Sequence, residues 1–142
     1  MLIRRGLVTD LFELSRLWSH MVQESEDLLP NLEMWRGYIV NLMGYKGYFM
    51  WVAEEDNELV GFIDYAMQPE PAHGIWIATI NYFYVAPAYR DQEVSGQLWM
   101  KAIDSAKENG AKEFSSICFD DKLEFWEKHG FTRQGNTIRR VI

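Results

Sequence analysis

Apolar residues recur along this chain in two rhythms, one of period two and one near 3.6, and the switches between them predict its elements. Leu2-Ile3-Arg4 reads as a short strand. Leu11, Leu14, Trp18, Met21 and Val22 then recur at helical spacing, predicting an amphipathic helix that starts at Thr9-Asp10 and runs to about Glu24. Asp10, with Glu13 one turn on, has the form of a capping box. Pro30 breaks the chain before a second helix, roughly Asn31 to Met43, with Leu32, Trp35, Ile39 and Leu42 on one face. Tyr48 to Ala53 and Leu59 to Met67 read as an antiparallel hairpin around the polar turn Glu54-Glu55-Asp56-Asn57. Pro69, Pro71 and Gly74 mark a loop before a strand from Ile75 to Val85. A helix from about Val94 ends at Asn109-Gly110, a C-cap pair. A short strand Phe114 to Phe119, a helix Asp120 to Lys128 and a last strand Phe131 to Ile142 complete the pattern. The predicted order is β-α-α-β-β-β-α-β-α-β. This is an α/β domain over residues 1–142, with helices on both faces of a largely antiparallel mixed sheet.

Composition adjusts this picture in three places. At 142 residues, one domain with one substantial core is expected. Six Trp and an aromatic content of 15% exceed what such a core needs and suggest a lined pocket or a partner surface. The net charge of −7 argues against nucleic acid or an anionic membrane as partner. A single Cys excludes an internal disulfide framework and favours a reducing, cytoplasmic setting. The opening residues lack the apolar stretch of a signal peptide, and no run is long enough to span a bilayer. His20, His73, His129 and Cys118 have no metal-ligand spacing, so no metal site is expected.

The stretch Ile80 to Met100 carries the clearest chemical signal. An apolar strand closes at Ala86-Pro87 and leads through Tyr89-Arg90 into the helix from Val94. The first amides of such a helix lack partners and sit at the positive end of its dipole, so the scaffold suits an anion. A loop made for phosphate usually has glycine where backbone meets oxygen, whereas this one has Asp91, Gln92 and Glu93. Acidic residues there also suit a plain helix start.

These features resemble the GNAT superfamily of N-acetyltransferases over nearly the whole chain. The resemblance rests on Ile3-Arg4 before a capped helix, Trp51-Val52-Ala53-Glu54, Leu59-Val60-Gly61-Phe62, Phe83 to Arg90, and Phe125-Trp126-Glu127-Lys128-His129-Gly130-Phe131. It implies acetyl-CoA as cofactor. Main-chain groups of Tyr84 and Val85 would meet the pantetheine arm. The loop pattern Arg/Gln-x-x-Gly-x-Gly/Ala would hold the pyrophosphate through Arg90, Gln92, Glu93, Val94, Ser95 and Gly96. Arg90 matches that pattern, Glu93 replaces its first glycine, and Ser95 stands at the second. A carboxylate about 5 Å from a phosphate charge costs roughly 3 kcal/mol at an effective dielectric near 20. Helix-terminus attraction returns only about 0.3 to 1 kcal/mol.

The family positions for acid and base carry unusual residues. Asn81 stands where a Glu often acts as base, and Trp126 where a Tyr often protonates the thiolate. Neither amide nor indole can do that work at neutral pH. Tyr82, Tyr84, Asp64 and Glu54 are the other candidates, each also readable as a sheet residue. Trp35, Tyr38, Tyr48 and Trp51 fall where the fold builds its acceptor pocket. With Glu24 and its acidic neighbours they would suit an amine, and the bland reading of the same residues is core packing.

Two readings follow. One is an acetyltransferase acting on a small-molecule or protein primary amine by direct attack, its rate supplied largely by proximity. The alternative is a catalytically inactive GNAT-fold structural or binding module that has lost acetyl-CoA binding and assembles, as a homo-oligomer or in a complex, through its aromatic surface.

Overall fold

The computed structural model describes residues 1–26, 31–90, 92–117, 123–135, 138 and 140–142. Its strands are β1 (Leu2–Arg5), β2 (Tyr48–Glu55), β3 (Glu58–Glu70), β4 (Ile75–Val85) and β5 (Ala111–Ser115). Its helices are α1 (Leu11–Glu26), α2 (Leu32–Met43), α3 (Val94–Glu108) and α4 (Leu123–Lys128). The strands form one sheet in sequence order, antiparallel at every pair except β4 with β5, which run parallel. Period-two alternation divides the core between the two faces. Val52, Phe62 and Tyr84 pack with Leu14, Leu17, Trp35 and Ile39 of α1 and α2. Ala53, Ile63 and Val85 pack with Val94, Leu98 and Trp99 of α3, with Trp126 and Phe131 against them. Helices thus cover both faces, as predicted.

Several expectations change in detail. Asp10 and Glu13 do not form a capping box. The Asp10 carboxylate accepts the Leu7 N–H at 2.7 Å and takes two bonds from the Arg4 guanidinium, at 2.8 and 2.9 Å. Glu13 instead accepts the Leu59 N–H at 2.9 Å, tying α1 to the start of β3. A charged fork on one side and an unpaired strand amide on the other outcompete the local cap. α1 continues to Glu26, and Pro30 lies outside the described residues. Asn31 caps α2 by accepting the Met34 N–H at 3.0 Å. Glu54 and Glu55 belong to β2, so the turn shrinks to Asp56-Asn57, both left-handed (φ 50° and 63°), the geometry of a two-residue hairpin. Pro69 lies inside β3, where that strand has outrun β2 and behaves as an edge that tolerates proline.

The C-terminal third departs most. β5 spans Ala111–Ser115 rather than Phe114 to Phe119, and Cys118 and Phe119 lie outside the described residues. The described part of α4 begins at Leu123. No strand follows Phe131 among the described residues. Ile138 and Val141 are 92% and 97% exposed, so no neighbouring surface offers them the burial that would hold a sixth strand.

Candidate functional site

β4 and β5 part company halfway along β4. They pair from Trp76↔Ala111 to Thr79↔Ser115, where β5 ends, while β4 runs on to Val85. Beyond Thr79, β4 therefore has β3 on one side and no strand on the other among the described residues. The split coincides with a bulge. Asp64 opposes Tyr82 and Tyr65 opposes Ile80, leaving Asn81 as the extra residue. Further on, Gly61 faces Val85, and a Cβ built on it would lie 2.9 Å from the Tyr84 carbonyl oxygen and 3.2 Å from Leu98 and Val85 side-chain atoms. Gly61→Ala should therefore push the end of β4 outward and cost about 1 to 2 kcal/mol in urea unfolding. Unchanged stability would show that this end of β4 yields freely.

At the bulge sits a buried carboxylate. Asp64 is 0% exposed. One oxygen accepts the Tyr82 backbone N–H at 2.7 Å, and the other accepts the Asn81 side-chain amide at 3.1 Å and the Tyr48 hydroxyl. Burial pushes the Asp64 carboxyl up to about 6, against the pull of those three donors. Burial, then the Asp64 charge, drives the Tyr48 hydroxyl far above the usual phenol range.

A second polar cluster closes the far end of β4. Glu24, at the end of α1, accepts the Tyr84 hydroxyl at 2.9 Å and an Arg90 guanidinium N–H at 2.7 Å. The Arg90 Nε–H donates to the Val85 carbonyl at 2.9 Å, and the guanidinium lies 5.4 Å from the Tyr84 ring centre. Burial and then Glu24 push the Tyr84 phenol up to about 12. Burial alone would raise Glu24, but the hydrogen bonds from Arg90 and Tyr84 outweigh it and hold the carboxyl below its ordinary range. Arg90 thus stands at the expected loop position, yet with one edge spent on Val85 and another on Glu24.

The loop that follows builds a helix start. Pro87–Tyr89 forms a single tight turn, the Gln92 N–H returns to the Tyr89 carbonyl at 3.3 Å, and Asp91 lies outside the described residues. Glu93 is left-handed, with φ 62° and ψ 13°, and its carbonyl accepts the Gln97 N–H at 3.0 Å, the first bond of α3. The amides of Val94, Ser95 and Gly96 precede that bond and have no acceptor within the helix. Val94 is buried, whereas Glu93, Ser95, Gly96, Gln97 and His129 line an open groove of about 660 Å³. The position that favours glycine in backbone geometry thus carries a glutamate.

The remaining expected residues scatter. Trp126 packs on α4 against Phe131, Phe83 and Trp99, with ring centres 5.0 to 6.1 Å apart, as an apolar wall. Trp35 stacks on Trp18 at 5.2 Å and shares a core cluster with Tyr48, while Tyr38 is half exposed. Trp51 lies on the opposite face of the sheet, between the cations of Arg5 and Lys101 at 5.5 and 4.8 Å, so it does not join the other three. Glu54 is paired with Arg4 at 3.0 Å. What the sequence reading missed is the linkage: Asp64 belongs to the bulge, and Glu24 ties Tyr84 to Arg90.

Comparison with known proteins agrees with this architecture. The model of the Acetyltransferase (GNAT) family matches residues 9–131. No curated protein sequence matches significantly. Among solved structures, a transcriptional regulator from Bacillus halodurans C-125 superposes with a TM-score of 0.82 at 24% identity, covering 99% of both chains. A ribosomal-protein-alanine N-acetyltransferase from Brucella melitensis biovar Abortus 2308 gives 0.79 at 19% identity, covering all of both chains. A predicted acetyltransferase with acetyl-CoA from Clostridium acetobutylicum gives 0.83 at 18% identity, over 99% of this chain and 95% of that one. At such identities the superpositions establish the fold alone.

Proposed function

Because the chain belongs to the GNAT acetyltransferase family, we propose that it transfers an acetyl group from acetyl-CoA to a primary amine by direct attack in a ternary complex. The observation that carries this reading is the parting of β4 from β5 at Thr79, beyond which Ile80 to Val85 have no strand partner on that side among the described residues, beside the start of α3. When bound, acetyl-CoA supplies the thioester that the amine attacks. Main-chain groups at the end of β4, with Tyr84 and Val85, would meet its extended arm. The amides of Val94, Ser95 and Gly96 and the half-exposed Arg90 would face its phosphates. This arrangement fits the cofactor in backbone and misfits it in one side chain, Glu93.

The chain's own contribution to rate is chiefly placement, which can supply several kcal/mol without a dedicated base. Asn81 is committed to Asp64, and the Trp126 indole contributes only apolar surface. Glu24 is the carboxylate next to the open end of β4. Held in its ionised form by Arg90 and Tyr84, it would offer a carboxylate oxygen to an amine acceptor as a hydrogen-bond partner. The Brucella neighbour is by name an N-acetyltransferase of a protein amine, which supports a protein or small-molecule amine as acceptor here. A cytoplasmic location accords with the lone Cys and with the absence, among the described residues, of any helix long and apolar enough to cross a membrane.

Two observations favour the second reading, a GNAT-fold binding module without catalysis. Glu93 holds the left-handed position, and Glu24 already occupies Arg90. Half-exposed Tyr38, Tyr45 and Trp76 would then serve assembly. Titration calorimetry with acetyl-CoA at low and moderate salt separates the readings. Micromolar binding supports the transferase. No heat up to millimolar ligand supports the module.

A further inference from the structure

We propose that Asp64 is the positioning residue of the acetyl-CoA cleft: its carboxylate takes the place of the ladder partners lost at the Asn81 bulge and so fixes where β4 parts from β5. The proposal rests on the acetyl-CoA reading above and adds to it a residue that touches neither cofactor nor reacting atoms.

A bulge inserts one residue into a ladder and leaves its neighbours' backbone groups without their regular partners. An N–H left unpaired in a core costs about 1 to 3 kcal/mol, so an unsupported bulge tends to regularise. In this chain the Tyr82 N–H is met by Asp64, a side chain on the strand directly opposite, at 2.7 Å. The extra residue, Asn81, is held by its own side chain to the same carboxylate at 3.1 Å. The Tyr48 hydroxyl, from β2, bonds the second oxygen, so three adjacent strands converge on one group. The anchored residues stand two and three positions beyond Thr79, the last β4 residue paired with β5. Were β4 to slip back into regular register, every residue from Tyr82 to Val85 would exchange faces. Tyr84 would then leave Glu24, and Val85 would leave the Arg90 Nε–H.

The same geometry excludes Asp64 as the general base. It is wholly buried, both its oxygens already accept hydrogen bonds, and a base must reach the proton it removes. Its action on acetyl-CoA runs through the backbone of Tyr82 and Phe83.

The test uses three variants of the full chain, each assayed at a temperature where it is folded. Asp64→Asn keeps an oxygen for the Tyr82 N–H, and rotation of the Tyr48 hydroxyl and the Asn81 amide restores the other two bonds. Asp64→Ala removes all three. Ile39→Ala, in the core between α2 and the sheet, leaves all three bonds to Asp64 in place and matches the loss of stability. Acetyl-CoA affinity should fall at least tenfold in Asp64→Ala and by less than threefold in Asp64→Asn and Ile39→Ala. Amide exchange at Tyr82 and Phe83 should accelerate only in Asp64→Ala, a readout that needs no ligand. Binding in folded Asp64→Ala as tight as in wild type, or unchanged exchange at Tyr82, would overturn the proposal. A wild-type chain that binds no acetyl-CoA would overturn the acetyl-CoA reading and this proposal with it.

Discussion

Asp64→Ala should lower the unfolding free energy by about 2 kcal/mol at pH 7 and by about 4 kcal/mol near pH 4.5. Two opposing terms set those values. Truncation leaves the Tyr48 hydroxyl and the Tyr82 N–H buried without an acceptor, at about 1 to 3 kcal/mol each. It also removes a carboxylate whose ionised form is disfavoured by burial, which offsets part of the loss at neutral pH. The sign of the pH trend follows from the direction of that shift. The folded-state value of about 6 stands above the ordinary 3.8, so the folded chain holds the proton over a wider range than the unfolded one. The stability this group contributes is full below about pH 3.8 and is lost as pH rises through about 6. Roughly two pH units correspond to nearly 3 kcal/mol across the window. The wild-type curve contains every other carboxylate, so the quantity to read is the difference between wild type and variant, from urea unfolding at the two pH values. A difference that grows with rising pH would contradict the assignment. Asp64→Asn, with partners kept and no charge to bury, should stay within about 1 kcal/mol of wild type at pH 7 and show the same pH dependence of that difference, because it too lacks the titrating carboxyl.

The sequence already hinted at Asp64, because an Asp inside Gly61-Phe62-Ile63-Asp64-Tyr65-Ala66 interrupts an otherwise apolar strand. Its partner could not be read, since the bulge that aims Asn81 at it depends on register between strands. The strands β2 to β4 and the body of α2 and α3 were legible because alternation, Asn31 and Asn109-Gly110 are local signals. Period two also held information that a linear grouping of aromatics overlooked. Tyr48 and Trp51 are three residues apart in one strand and so must face opposite sides of the sheet. Long-range ion pairs explain the rest. Asp10 had a local use as a cap, but Arg4 claimed it; Glu24 reads as an acidic group beside the acceptor pocket, yet it meets residues 60 and 66 positions away. At the end of the chain, Ile138 and Val141 supplied apolar content without a surface to bury it.

Glu93→Gly should tighten acetyl-CoA binding about tenfold at moderate salt, and more at low salt. Two features of one residue oppose a phosphate at the start of α3. The left-handed backbone at φ 62° is disfavoured by about 1 kcal/mol for a residue with a Cβ, and a side chain there adds bulk that the family's glycine lacks. The carboxylate adds repulsion of roughly 3 kcal/mol at 5 Å and an effective dielectric of 20, reduced by salt because the side chain is exposed. Fold stability should barely change. Relief of the backbone strain, about 1 kcal/mol, offsets the loss of a negative charge near a helix N-terminus, about 0.3 to 1 kcal/mol. A shift in affinity with the melting temperature held constant is therefore the signature. Glu93→Gln keeps the strain and the bulk while removing the charge, so it divides the effect. Equal gains in both variants would assign the obstacle to charge, and a gain confined to glycine would assign it to the approach of backbone to phosphate. Adding Asp91→Gly should increase the gain further. No improvement in any of the three would mean that the acidic loop is not what limits cofactor binding, and would turn attention to the Glu24 carboxylate that already holds Arg90.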